Sequence, residues 1–300
     1  MIRTRAGCRI ATCMLLLASV AAAALTDNEK TAIDQLTTMN AGQFQALRVQ
    51  AGKGVPAAQT LLGIAYLKGI RVPKDDRAAF GFFQQAGKKK QTVALSNLGI
   101  MYFYGLGVEK NYVEAVKYFR QASADGNSNA QFNLATMYHH GFGVQQDLAE
   151  AAKWYEIAAV QGEPMAQNVL ATFYESGTGV VKDPAQALKW YTKAAQNGYA
   201  IAQYNLGSLY REAEDHQTAL EWFLRAAKQG HPGSIRNLVE LYLHGHCMKV
   251  DYHQAYYWLA STHRQDDWAT KMREECRKHI PERELQEMDV TASLEVGASR

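Results

Sequence analysis

The chain has 300 residues, with 32 Lys+Arg against 29 Asp+Glu and a formal net charge of +3. That length allows one to three domains with a sizeable core, unless the chain is a repeat array, to which the rule does not apply. Arg3, Arg5 and Arg9 carry the whole excess, so the chain beyond residue 24 is formally neutral. No basic block or stripe is read in it, which argues against nucleic acid as a partner.

The first 24 residues read as a secretory signal peptide. The three arginines form a basic n-region, Ile10 to Val20 an apolar run, and Ala21 to Ala24 a small-residue cleavage site. The run is short for a membrane span, which needs about 20 residues. Expected consequences are cleavage after Ala24, export to the periplasm (or secretion, or the cell surface), and no stable membrane insertion afterwards. Thr26-Asp-Asn-Glu29 resembles a capping box opening a helix, and residues 41–53 a degenerate second helix. Residues 25–53 are therefore expected to form N-terminal capping helices.

Beyond residue 53 the chain repeats. Ala58, Ala94, Ala130, Ala166 and Ala202 recur every 36 residues, and Ser234 comes 32 residues later. A second column runs through Ala79, Ala115, Ala151, Ala187, Ala219 and Ala255. Each is followed by a bulky pair: Phe82–Phe83, Tyr118–Phe119, Trp154–Tyr155, Trp190–Tyr191, Trp222–Phe223 and Trp258–Leu259. The apolar spacing predicts two amphipathic helices per unit, A and B, with small alanines permitting close approach. One such pair cannot bury both faces, but stacked neighbours can. An all-α repeat array over residues 54–265 is therefore expected. Gly-x-Gly-Val loops at Gly105, Gly141 and Gly177 separate A from B, where glycine can end a helix left-handed. Asp75, Asp147 and Asp183 stand where a carboxylate can cap helix B. Prolines precede the A column at Pro56, Pro164 and Pro232, and Pro184 fits a first helical position.

The pattern A-x-x-N-L-G-x-x-Y-x-x-G-x-G-V, then K-D-x-x-x-A-x-x-W-Y-x-x-A-A-x-x-G, resembles the Sel1-like repeat, a relative of the tetratricopeptide repeats. The resemblance covers residues 54 to about 260. It implies a right-handed αα superhelical solenoid with the A helices lining the concave side. Two units depart from it: the fifth reads Arg211-Glu-Ala-Glu-Asp215 in place of the loop, and the sixth Gly245-His246-Cys247.

By the same resemblance, groove positions carried onto this chain are Asn97, Ile100 and Tyr104, then Asn133, Thr136 and His140, then Asn168, Thr172, Glu175 and Ser176. Further along they are Tyr204, Asn205, Ser208, Arg211, Glu212, Arg236, Asn237, Glu240 and His244. The early positions are aromatic and apolar, the later ones charged in both signs, which suits another protein or an extended peptide. The column asparagines have a second possible use, bonding within the repeat. The expected function is a non-catalytic periplasmic scaffold, acting as a monomer or weak oligomer. The resemblance leaves two alternatives: an immunity protein neutralising a periplasm-acting toxin such as a secreted lipase, and a β-lactam-binding or hydrolysing enzyme. The cysteine pairs of the latter branch are absent.

No catalytic or nucleotide motif is found among S-x-x-K, G-x-S-x-G, H-E-x-x-H or G-x-x-x-x-G-K-S/T, and neither a cofactor nor a metal is expected. His244-Gly-His246-Cys247 reads as a surface loop, since three side chains of a tight loop rarely converge on one ion. His139 and His140 are expected to diverge by about 100° around their helix. Cys247 and Cys276 could form a disulfide in an oxidising compartment. Capping helices are expected over 266–289 and a flexible tail over 290–300.

Overall fold

The computed structural model describes residues 27–245, 249–261 and 266–298, and every regular element among them is an α-helix. Residues 1–26, with the expected signal peptide and the start of the expected capping box, lie outside the described residues. The chain divides into two compact units, one ending at Gln146 and the other beginning at Asp147.

The first unit holds α1 (Asp27–Thr38), α2 (Ala41–Gly52), α3 (Pro56–Lys68), α4 (Asp76–Lys88), α5 (Thr92–Tyr104), α6 (Tyr112–Ala124) and α7 (Ser128–His140). From α2 onward each helix packs on the next, and α1 packs on α3. The A helices α3, α5 and α7 also touch in succession. A capping box opens α2. Asn40 Oδ1 accepts from the Gln43 amide at 2.9 Å, and Gln43 Oε1 accepts from the Asn40 amide at 2.8 Å. Leu36, Phe83, Leu98 and Met101 are among the residues closing this core.

The second unit runs α8 (Leu148–Val160), α9 (Pro164–Ser176), α10 (Pro184–Gln196), α11 (Ala200–Glu212), α12 (His216–Lys228), α13 (Pro232–His244), α14 (Tyr252–Ala260), α15 (Asp267–Arg277) and α16 (Glu282–Ala298). Here too consecutive helices pack, with α15 and α16 both closing against α14. Ala269, Cys276, Ile280 and Leu285 join the core of the last repeat, which is how a terminal cap replaces a missing neighbour. Helix α16 reaches Ala298, past Val290, where the sequence suggests fraying; no proline interrupts it and Gly297 is its first glycine.

The helix boundaries follow the predicted punctuation. Asp75, Asp147 and Asp183 each accept backbone N–H groups of the first turn of a B helix, and Asn111, Asp215 and Asp251 do the same. The loop glycines do two separate jobs. The first ends the A helix: Gly105 has φ 76° and donates its N–H to Met101 O at 2.8 Å. The second serves the repeat interface. A Cβ on Gly107 would lie 2.2 Å from Asp76 O, and one on Gly143 2.5 Å from the Tyr112 carbonyl. Each of these loops is thus laid directly on the first turn of the preceding B helix.

Helix A and helix B are matched in size at their crossing. Gly63, Gly99 and Gly207 sit so close to the rings of Phe83, Phe119 and Phe223 that a Cβ would fall 2.5 to 2.9 Å from ring carbons. Where the B-helix aromatic is Tyr191, the A-helix position is Ala171.

Candidate functional site

In the first unit the end of α5 and the face of α7 shape a small concavity. Ile100, Phe103, Tyr104, Phe119, Asn133, Thr136 and Met137 line a cavity of about 20 Å³, room for about one water or one methyl-sized group. Its walls are apolar, with Asn133 and Thr136 as its polar members. Thr136 Oγ1 donates to Phe132 O at 2.9 Å in its own helix. Burial raises the pKa of Tyr104, so the phenol stays protonated.

Beside this cavity lies a cluster of rings at the loop edge. Phe103 meets Tyr104 edge-on at 4.8 Å, and Tyr112 and Phe142 at 5.2 and 5.8 Å. Tyr112 stacks on Phe142 at 5.0 Å, His140 on Phe142 at 5.4 Å, and Lys110 Nζ sits 4.7 Å from the Tyr112 ring centre. His139 and His140 do not diverge as expected: their rings stack at 4.4 Å with 14° between planes. Rotation about χ1 and χ2 brings adjacent rings together when a common apolar surface attracts both. Burial, and then the neighbouring His140, lower the His139 pKa to about 4; burial also lowers that of His140. Both rings are therefore neutral at pH 7 and belong to the aromatic surface.

The asparagine column is used in two ways. Asn97 is buried and donates Nδ2 to Val93 O at 2.9 Å, serving its own helix. Asn133 is half-buried at the cavity. In the second unit, Asn205 Nδ2 donates to the buried Asn168 Oδ1 at 3.0 Å, and Arg211 donates to the buried Asn237 Oδ1. There the column residues Asn205 and Asn237 bond to a neighbouring repeat, Asn168 standing one place before the column position, which is Val169. Other expected groove residues of this unit are likewise engaged. Tyr191 Oη donates to Glu175 Oε2 at 2.8 Å, and Thr172 and Ser208 bond to carbonyls of their own helices. Tyr204 lies 4.6 Å from the His231 ring, and the Arg236 guanidinium 4.3 Å from the Trp268 ring centre. Glu212 and His244 are exposed and Glu240 is half-buried.

The sequence placed Tyr104, Asn133 and Thr136 together, and the cavity gathers all three. It missed Phe103, Tyr112 and Phe142. The signal was available: these aromatics stand off the repeated columns, where the matching positions hold Glu175, Pro184 and Thr178. The second ring of the column pair is buried at Phe83, Phe119, Tyr155, Tyr191 and Phe223, whereas Phe103, Tyr112 and Phe142 are half-buried. Cys276 is buried, and burial raises its thiol pKa to about 11; Cys247, its suggested disulfide partner, lies outside the described residues, as does His246. Among the described residues no group of three His, Cys, Asp or Glu is placed to hold a metal ion, and no helix is long and apolar enough to cross a membrane.

The helix pairs, their loop glycines and their size-matched crossings define one repeated unit, and the sequence model of the Sel1 repeat matches it at residues 56–90, 92–127, 128–163, 164–199, 200–231 and 235–262. The chain belongs to the Sel1 repeat family. The structure is similar to that of a Sel1 repeat protein from Oxalobacter formigenes, at 32% identity and a TM-score of 0.63, over 71% of this chain and 87% of that one. It is also similar to a protective antigen of uropathogenic Escherichia coli strains that displays an SLR fold, at 28% identity and a TM-score of 0.66. That likeness covers 85% of this chain and 56% of the antigen. Among curated proteins no sequence matches. The Sel1 repeats thus account for the fold and the loop chemistry, while the off-column rings of the second and third repeats stand outside the repeated pattern.

Proposed function

We propose that the chain is a non-catalytic, periplasmic Sel1 repeat scaffold that holds another protein through the A-helix face of its second and third repeats. The observation carrying this reading is the cavity between Tyr104, Asn133 and Thr136, flanked by half-exposed rings. A dimple of about 20 Å³ has room for a methyl-sized group of a partner's side chain. Aromatic side chains with a polar rim are the usual anchors of protein interfaces. The Asn133 amide can donate to and accept from an extended backbone laid across α5 and α7. The periplasmic assignment rests on the signal-like first 24 residues.

The test is affinity capture from a periplasmic fraction with the wild-type chain and with Thr136→Leu, which fills the cavity without opening the core. Capture of a defined partner by wild type alone supports the reading. Equal capture by a folded Thr136→Leu chain rules out this face, and partition of the tagged protein with the cytosol rules out the location. A captured toxin would narrow the scaffold role to immunity.

A further inference from the structure

The neutral total beyond residue 24 conceals a segregation of charge. Between residues 35 and 108 stand nine lysines and arginines against two carboxylates, Asp75 and Asp76. The absence of a basic block holds for the sum and fails for the first repeat. Both carboxylates are engaged at the start of α4: Asp75 accepts the N–H groups of Arg77 and Ala78, and Asp76 lies 3.6 Å from Lys74. The far end of α4, about 20 Å away at 1.5 Å per residue, has no carboxylate of its own.

At that end Lys89 Nζ donates to Gly54 O at 2.5 Å. This bond brings Lys88-Lys89-Lys90 beside the turn from α2 to α3, which carries Lys53. All four lysines are exposed. Val49 and Val55 flank the turn and are 48% and 41% exposed. Lysines at a helix C-terminus also favour the helix dipole, and that explains Lys88 and Lys89 alone. Lys90 is different. It has φ 58°, at a place where other repeats use Gly126, Gly162, Gly198 and Gly230. A left-handed lysine where glycine is the relaxed choice is local strain, of the kind retained at functional positions.

We propose that this lysine tip docks on an anionic lipid surface. Lysine is a compact, strongly hydrated point charge, suited to a diffuse sheet of negative charge. Recognition of fixed carboxylates or phosphates instead favours the planar fork of arginine. The tip is a turn that presents its charges outward, as a planar surface requires, and two exposed valines can enter the headgroup boundary. These features favour a bilayer over an acidic protein segment. The contact is peripheral and separate from the A-helix face of the second and third repeats.

The experiment is co-sedimentation of residues 25–300 with vesicles of phosphatidylcholine, alone or mixed with phosphatidylglycerol. Residues 1–24, whose apolar run would itself enter lipid, are absent from every protein compared. The expected result is binding to the anionic vesicles alone, abolished by high salt. K88E/K89E/K90E should lower the apparent partition constant roughly tenfold or more. Lys90→Gly should weaken it by a smaller factor while raising the unfolding temperature, because the strain is relieved. Absence of binding to anionic vesicles, or equal binding by a folded triple variant, overturns the proposal. So does displacement of the vesicles by a soluble oligoglutamate peptide at matched charge, which would assign the tip to an acidic protein. If the triple variant does not fold, Lys90→Gly decides: unchanged partition overturns the proposal.

Discussion

In the first unit the asparagine column leaves Asn133 at a cavity beside a cluster of rings, whereas in the second unit Asn168, Asn205 and Asn237 are taken up in bonds between repeats. The loops are a second means of joining repeats, and Gly179 supplies one in the second unit as well. Gly107 and Gly143 lay an intact loop on the preceding B helix. The fifth repeat has lost that loop, turns instead through Glu214 at φ 62°, and gains the Arg211–Asn237 bond. Backbone approach and side-chain bonding are two ways to hold one repeat against the next. The fourth repeat uses both, the Gly179 loop and the Asn168–Asn205 bond.

The largest effect should separate the two glycine roles. Gly143→Ala places a Cβ 2.5 Å from the Tyr112 backbone at φ 67°, and is expected to cost about 3 kcal/mol or more in urea unfolding. Gly126→Ala also requires positive φ but meets nothing within 4 Å, and should cost about 1 kcal/mol. Equal costs would remove the claim that the second loop glycine serves the repeat interface. Gly99→Ala, pressed 2.5 Å from the Phe119 ring, should cost about 1–3 kcal/mol; a neutral result would contradict the size matching of the A–B crossing. Asn168→Ala and Asn205→Ala should couple by about 1 kcal/mol in a double-mutant cycle. Asn97→Ala and Asn133→Ala should not couple, and any coupling there would erase the contrast between the units.

Acid should act on both units by a similar small amount. His139 and His231 have pKa values lowered by burial to about 4, below the usual 6.5. Above pH 6.5 both states are neutral and the rings cost nothing. Between pH 6.5 and 4 the unfolded chain binds protons that the folded chain refuses, so stability falls as pH falls. Solvent screening keeps this to an order of 1 kcal/mol each. His139→Gln should flatten the fall in a pH series of melting curves; an unchanged slope would contradict the burial of that ring.

Much of the fold was legible because a repeat states its rule six times. The alanine columns, the capping aspartates and the N1 prolines each rest on local chemistry that the structure reproduces. Contacts made by residues far apart in sequence were less legible. The role of Gly107 depends on Asp76, in the preceding repeat, and no spacing rule announces it. The site was half legible for the same reason. Tyr104, Asn133 and Thr136 could be carried over by column, but the stacking of His139 on His140 depends on rotamers chosen by the surrounding rings. The basic tip escaped because net charge averages over the chain, while an electrostatic surface depends on where the charges sit.

The central claim, that the A-helix face of the second and third repeats holds the partner, is tested most directly by amide hydrogen exchange of the chain with and without its captured partner. Added protection is expected at the end of α5, along α7 and in the loop carrying Phe142, with little change in the second unit. Protection confined to the B helices, or to residues beyond Asp147, would contradict it.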